Sequence, residues 1–317
     1  MIRIIVTRKL LKPNEERISK LWDVKLNSND EIYSQNKLIE LSKDCDGILS
    51  SIVDKIDEET INKLSEKIKI ISNFAVGFGN VDIEAARKRN IIVTNTPDVL
   101  TDATSEIAML LILGACRRAA EGMKYARNKN WKWSADFLIG KELYGSRLGI
   151  LGMGRIGRAV AKRAKAFGMK IHYHNRSKLE SKFENGAIYH DNIESLFSTS
   201  DILSINCPAT KETKNIINKK TLEFFPEGAV ITNSARGDMI DDEAMVEALK
   251  NRKIYALGLD VYNGEPEIHP GYLKDPNVFV LPHLGSSTKK TRIDMANLAI
   301  SNIEEFFKTG KCKNQVN

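Results

Sequence analysis

The stretch that most constrains this chain is residues 147–157, RLGILGMGRIG. Arg147–Leu151 reads as a short buried strand. It runs into Gly152-Met153-Gly154-Arg155-Ile156-Gly157, a GxGxxG turn, and residues 158–167 carry apolar positions at helical spacing until Gly168 stops them. Strand, glycine turn and helix in that order give the pattern its physical meaning. The first glycine permits the tight turn. The second lets a pyrophosphate approach the backbone, and the third lets the helix pack close to the strand with its N-terminus facing the phosphates. A structural glycine turn with no ligand is the alternative, and the flanks argue against it.

At 317 residues the chain is too long for one compact core and suits two domains. No window approaches the roughly 18 uninterrupted apolar residues of a membrane span, and the opening MIRIIVTRKLL resembles a first strand rather than a secretory signal. A cytoplasmic location is expected. The net charge of +7 comes from basic residues interleaved with acids, as in Glu84-Ala85-Ala86-Arg87-Lys88-Arg89. Such a solvated surface argues against nucleic-acid binding and suits anionic small molecules. Cys45, Cys116, Cys207 and Cys312 are far apart, with no CxxC spacing, so free thiols and no metal are expected.

Strand and helix signals alternate along the chain. Strands are expected at 2–6, 46–50, 68–74 and 91–94, with helices at 14–21, 37–43, 57–64 and 81–89 between them. Thr96-Pro97 marks a boundary, and 101–128 carries one long helical pattern, apolar enough to bury itself in a core or a dimer interface. The alternation resumes at 147, with strands at 170–174, 202–206, 229–233, 256–260 and 278–281, and a last amphipathic helix spans 288–309. The class is α/β with parallel sheets.

Ligands of open parallel sheets bind beyond the carboxyl ends of the strands. Three strand ends supply chemistry: Arg236 in Asn233-Ser234-Ala235-Arg236-Gly237, Glu265 after Asp260-Val261-Tyr262-Asn263-Gly264, and His283 in Leu281-Pro282-His283-Leu284-Gly285. An arginine can grip a carboxylate or carbonyl through two parallel hydrogen bonds. A histidine can pass a proton near neutral pH, and a carboxylate beside it fixes its tautomer. Each residue alone reads as an ordinary surface or turn residue. At successive strand ends, below a dinucleotide turn, they suit reduction of a 2-oxo acid.

The order GMGRIG, NSARG, GLDVYNGEP and LPHLGSST resembles the D-isomer-specific 2-hydroxyacid dehydrogenase family, nearest to glyoxylate and hydroxypyruvate reductases. Val76-Gly77-Phe78-Gly79-Asn80-Val81-Asp82, Val93-Thr94-Asn95-Thr96-Pro97 and Thr101-Asp102-Ala103-Thr104-Ser105-Glu106 agree. The resemblance implies a Rossmann-type doubly wound sheet at 99–285 and a smaller flavodoxin-like α/β substrate domain from 1–98 and 286–317, with the active site in the cleft between them. It implies Arg236, Glu265 and His283 as catalytic residues and Val76-Gly77 as a backbone turn that binds the substrate carboxylate. It puts Thr104, Gly152, Gly154, Arg155, Ile156, Gly157, Cys207, Pro208, Thr213, Ala235, Asp260, His283 and Gly285 at the cofactor, with Asp260 able to accept a bond from the nicotinamide carboxamide. It also implies a homodimer, in which Trp133 can reach the partner's site and shape a small pocket, or merely pack at the interface.

An NAD site has an acid about 20 residues after the glycine turn, on the ribose 2′-hydroxyl. Here that position is Asn175, followed by Arg176, Ser177 and Lys178, which can receive a 2′-phosphate. NADP(H) is therefore favoured over NAD(H). A small 2-oxo acid such as glyoxylate or hydroxypyruvate is the expected substrate. D-3-phosphoglycerate, 2-ketogluconate and other 2-ketoacids are the alternatives. A dinucleotide-sensing, corepressor-like binding protein is a further alternative, but it would call for a tail, and only eight residues follow Thr309.

Overall fold

The computed structural model describes residues 1–129 and 131–317. Their strands are β1 (Arg3–Val6), β2 (Asp23–Lys25), β3 (Gly47–Ser51), β4 (Ile70–Phe74), β5 (Ile92–Thr94), β6 (Arg147–Leu151), β7 (Lys170–His174), β8 (Ile188–Tyr189), β9 (Ile202–Ile205), β10 (Ala229–Asn233), β11 (Ile254–Leu259) and β12 (Val278–Val280). The chain forms two compact units. One comprises Met1–Leu100 with Ser286–Asn317, and the other Thr101–Gly285.

The first unit has a five-stranded sheet in the order β2-β1-β3-β4-β5, parallel throughout. That is the flavodoxin-like doubly wound order. Period-two alternation splits its residues between two cores. Ile5, Ile48 and Ile71 pack with Leu38, Ile61, Ala85 and Ala86 of the helices Gln35–Leu41, Glu58–Lys63 and Ile83–Lys88. Ile4, Val6, Leu49 and Ile70 pack with Ile18 of helix Lys12–Leu21 and Ala296, Ala299, Ile300 and Ile303 of helix Lys289–Thr309. Strands buried on both faces explain the unbroken Ile-rich runs in the sequence.

The second unit has seven parallel strands in the order β12-β11-β10-β9-β6-β7-β8. Read from β8, this is the Rossmann 3-2-1-4-5-6 order with one strand added. The order reverses at β6, so the GxGxxG turn sits at the topological switch point, where such sheets bind ligands.

The single long helix expected over 101–128 is instead two, Thr101–Cys116 and Ala119–Arg127. Three observations explain the break. The apolar run ends at Arg117-Arg118, Arg118 adopts a left-handed φ of 51°, and the Cys116 carbonyl accepts from the Lys141 amide at 2.8 Å. Gly140 makes that approach possible: a Cβ there would stand 2.4 Å from the Cys116 oxygen. The first helix is buried in its own unit, where Ala108, Ile112 and Ala115 share a core with Val160 and Ala164. The second buries no residue. Short β2 and β8, which lack a strong apolar pattern, are added to the strands read from the sequence.

Candidate active site

The glycine turn assigns each glycine a physical task. Gly152 has φ +96°, and a Cβ there would stand 2.5–2.7 Å from the N, Cα and Cβ of Cys207. A Cβ at Gly157 would lie 2.3 Å from the Gly152 oxygen, so the helix can approach the turn only without a side chain. A Cβ at Gly154 would meet nothing within 4 Å. Two glycines are thus required by the protein's own packing, while the middle one leaves open space at the start of helix Arg155–Ala166. That helix has no side-chain cap, so its first N–H groups can meet an anion. The helix begins at Arg155, three residues earlier than the sequence pattern suggested. These features fit a bound pyrophosphate.

The loop after β9 packs against this turn through Cys207. Thr213 closes the loop, donating from Oγ1 to the Pro208 carbonyl at 2.9 Å and accepting from the Thr210 amide at 2.8 Å. Burial pushes the Cys207 thiol up to about 11, so it is a packing residue rather than a reactive thiolate. Beyond β7, Asn175 faces back into the glycine turn, where its Oδ1 accepts from the Met153 amide at 2.7 Å. Arg176, Ser177 and Lys178 are exposed. The Arg176 charge reaches Glu212 on the β9 loop and helps lower its carboxyl, after a larger effect from the Thr210 hydroxyl.

The other candidate residues follow β10, β11 and β12. Asn233, fully buried at the end of β10, accepts from the Ala235 amide at 2.9 Å and donates to the Arg236 carbonyl at 2.7 Å. This clamp shapes the 233–236 turn. The Arg236 guanidinium donates to the Ala235 carbonyl at 2.6 Å. Burial lowers its pKa, while Glu265 and Asp238 pull it back up. Gly237 lies against the β11 loop so closely that a Cβ would fall 1.9 Å from the Tyr262 carbonyl carbon.

Glu265 and His283 are paired directly, His283 Nδ1 to Glu265 Oε2 at 2.7 Å. Burial would raise the Glu265 carboxyl. The His283 bond, the Tyr262 amide at 3.0 Å and the Arg236 charge outweigh it, and the carboxyl stands below its usual range. His283 holds a left-handed φ of 55°, uncommon for a residue with a side chain. Two anchors sustain that conformation. Tyr262 donates its hydroxyl to the Leu281 carbonyl at 2.6 Å, and fully buried Asp260 accepts the Leu284 and Gly285 amides at 2.7 and 2.8 Å. Burial raises the Asp260 carboxyl, and those two amides oppose the rise. Thr104 completes the loop, donating to the Gly285 carbonyl at 3.0 Å.

A family model for the D-isomer specific 2-hydroxyacid dehydrogenase NAD binding domain matches residues 109–285, the span that carries the glycine turn, Arg236, Glu265 and His283. The chain belongs to that family. It is an oxidoreductase that uses a nicotinamide cofactor. The dehydrogenase is 40% identical over 308 residues to a glycerate dehydrogenase of Hyphomicrobium methylovorum, covering 96% of each chain. It is 39% identical to a glyoxylate reductase of Thermococcus litoralis, over 99% of this chain and 96% of that one. An NADPH-dependent glyoxylate/hydroxypyruvate reductase from Sinorhizobium meliloti, solved with NADP and malonate, superposes with a TM-score of 0.90 at 32% identity, over 99% and 96% of the two chains.

Three further expected site residues, Val76, Gly77 and Trp133, lie away from these strand ends in the chain. Val76 and Gly77 follow β4 in the first unit and are half-buried. Trp133 is 83% exposed, whereas Trp131 stacks on Phe137 at 6.5 Å. Sequence reasoning missed Asn233, Tyr262 and Gly237. The last had a readable signal, since a glycine directly after Arg236 invites a close-approach explanation.

Proposed function

We propose that this dehydrogenase reduces a small 2-oxo acid, glyoxylate or hydroxypyruvate, to the D-2-hydroxy acid with NADP(H). The 2.7 Å pair between His283 Nδ1 and Glu265 Oε2 carries the reading. With Nδ1 engaged, Nε2 is the nitrogen that delivers a proton to the substrate oxygen. Glu265, ionised and next to the ring, stabilises the imidazolium that must exist before the transfer. Arg236 holds the substrate carboxylate and carbonyl through its planar fork, in partial burial that strengthens the interaction. The nicotinamide, when bound, supplies the hydride that reaches the carbonyl carbon. The Val76-Gly77 turn receives the carboxylate through backbone N–H groups. Asp260 retains lone pairs beyond the two amides it binds and can accept from the carboxamide.

NADP(H) is favoured because Asn175 is committed to the Met153 amide and leaves no carboxylate to repel a 2′-phosphate. Arg176, Ser177 and Lys178 are exposed beside it. The Sinorhizobium relative is NADPH-dependent and supports this choice. The enzyme acts in the cytoplasm as a homodimer, with exposed Trp133 at the interface. Rates for glyoxylate, hydroxypyruvate, 2-ketogluconate and pyruvate, measured with NADPH and NADH in parallel, test the proposal. It requires glyoxylate or hydroxypyruvate to give the highest specificity constant, with NADPH preferred. A chain that binds NADPH yet reduces none of the four would contradict it.

A further inference from the structure

Consecutive carbonyls of the turn after β4 are each tied inward. The Ala75 carbonyl accepts from the Thr96 amide at 2.9 Å, the Val76 carbonyl from Asn95 Nδ2 at 2.8 Å, and the Gly77 carbonyl from Asn73 Nδ2 at 3.0 Å. These peptide bonds are trans, so each N–H points opposite to the carbonyl before it. Fixing the carbonyls of Ala75, Val76 and Gly77 inward therefore turns the N–H groups of Val76, Gly77 and Phe78 outward. None of the three donates to an acceptor among the described residues. Successive outward N–H groups form a concavity for an anion.

The two asparagines are themselves held. Asn73 is fully buried, and its side chain also bonds Ser50 Oγ at 3.1 Å and Asn80 Oδ1 at 3.0 Å. Asn80 in turn donates to the carbonyls of Ser51 and Asp54. Asn95 is fixed through its backbone, donating to the Asn314 carbonyl at 3.2 Å and accepting from Asn302 Nδ2 at 3.0 Å. Such cost-bearing burial of amide side chains has no packing purpose that an apolar residue would not serve. The distinctive product of the two asparagines is the orientation of two peptide units, Val76–Gly77 and Gly77–Phe78.

We propose that Asn73 and Asn95 are positioning residues for the substrate carboxylate, acting through the carbonyls of Gly77 and Val76 to aim the N–H groups of Phe78 and Gly77, while the Thr96 amide sets that of Val76. This rests on the reading that the Val76-Gly77 turn receives that carboxylate. The main variants are Asn95→Asp, which keeps the shape but replaces the donor, and Asn95→Ala. Half-buried Asn95 is preferred because Asn73→Asp risks misfolding. Thermal unfolding confirms that each variant folds.

The expected result is a KM for glyoxylate raised about tenfold, the worth of one lost hydrogen bond. The kcat stays within about threefold and the NADPH dissociation constant within about twofold, a split that general loosening would not produce. In parallel, oxamate is titrated into the wild-type protein with NADP bound while the amide resonances of Val76, Gly77 and Phe78 are followed. Shifted resonances together with the raised KM support the proposal. Shifted resonances with an unchanged KM overturn the role of the asparagines and leave the carboxylate site standing. Resonances that do not move overturn the carboxylate site, and the positioning role with it.

Discussion

Replacing Glu265 by Gln isolates the charge behind proton delivery while keeping the side chain's size. In the native site one carboxylate oxygen accepts the Tyr262 amide at 3.0 Å and the other meets His283 Nδ1 at 2.7 Å. A glutamine that keeps its oxygen on the Tyr262 amide must present its NH2 group to Nδ1. That arrangement tolerates a neutral ring whose Nδ1 is bare. It opposes the imidazolium, which carries protons on both nitrogens. The lost interaction is a charge-assisted hydrogen bond worth roughly 1.5–3 kcal/mol. At about 1.4 kcal/mol per factor of ten, kcat/KM for glyoxylate should fall by about 10- to 150-fold. The assay is NADPH consumption at saturating cofactor, with NADPH affinity measured separately and expected to stay within about twofold. A variant within twofold of wild type in kcat/KM would refute the claim that Glu265 acts on the reaction through His283.

Three further outcomes follow from the same geometry. Arg236→Lys keeps the charge but loses the bidentate fork, so KM for the 2-oxo acid should rise and kcat fall together, with kcat/KM down by about 100-fold or more; an unchanged specificity constant would count against the assigned grip. Asn175→Asp combined with Arg176→Ala and Lys178→Ala preserves an acceptor for the Met153 amide and should lower the NADPH-to-NADH ratio of specificity constants by about tenfold or more. If the ratio does not move, the 2′-phosphate is held elsewhere. Acid should destabilise the fold in a defined window. The Lys25 bond, with help from Arg3 and against some burial, holds Asp44 at about 2. Asp57 is lowered chiefly by the Thr60 amide, and Glu265 also stands low. These folded values lie below the unfolded ones, so their stabilisation is complete above about pH 4 and is lost as pH falls toward about 2. The unfolding temperature should drop across that interval, less steeply in Asp44→Asn, and a flat profile would contradict the assignment.

Much of this architecture is legible in the residues because the central strands, such as β3, β9 and β10, are buried on both faces. Runs such as Ile68-Lys69-Ile70-Ile71 and Ala229-Val230-Ile231 need no tertiary information to be read as parallel strands. The glycine turn is equally direct, since Gly152 and Gly157 are demanded by backbone contacts that no other residue permits. The strand-end residues Glu265 and His283 could be paired from their order, but not their distance. What escaped the sequence is whatever depends on contacts far along the chain. The break at Arg118 rests on Lys141 and Gly140, more than 20 residues away. The Asn175 side chain, read only as a missing acid, turns out to brace the glycine turn at Met153. Asn233 and Tyr262 look unremarkable in sequence and become anchors only once β10, β11 and β12 lie side by side.

The central claim is that His283 gives the proton in a 2-oxo acid reduction whose cofactor is held chiefly by other residues. The most direct measurement compares wild type and His283→Ala for glyoxylate turnover with NADPH and for NADPH affinity. The account predicts that kcat falls by about 100-fold or more, as for loss of a general acid, while the NADPH dissociation constant stays within about threefold. A variant that still turns over near the wild-type rate would contradict it.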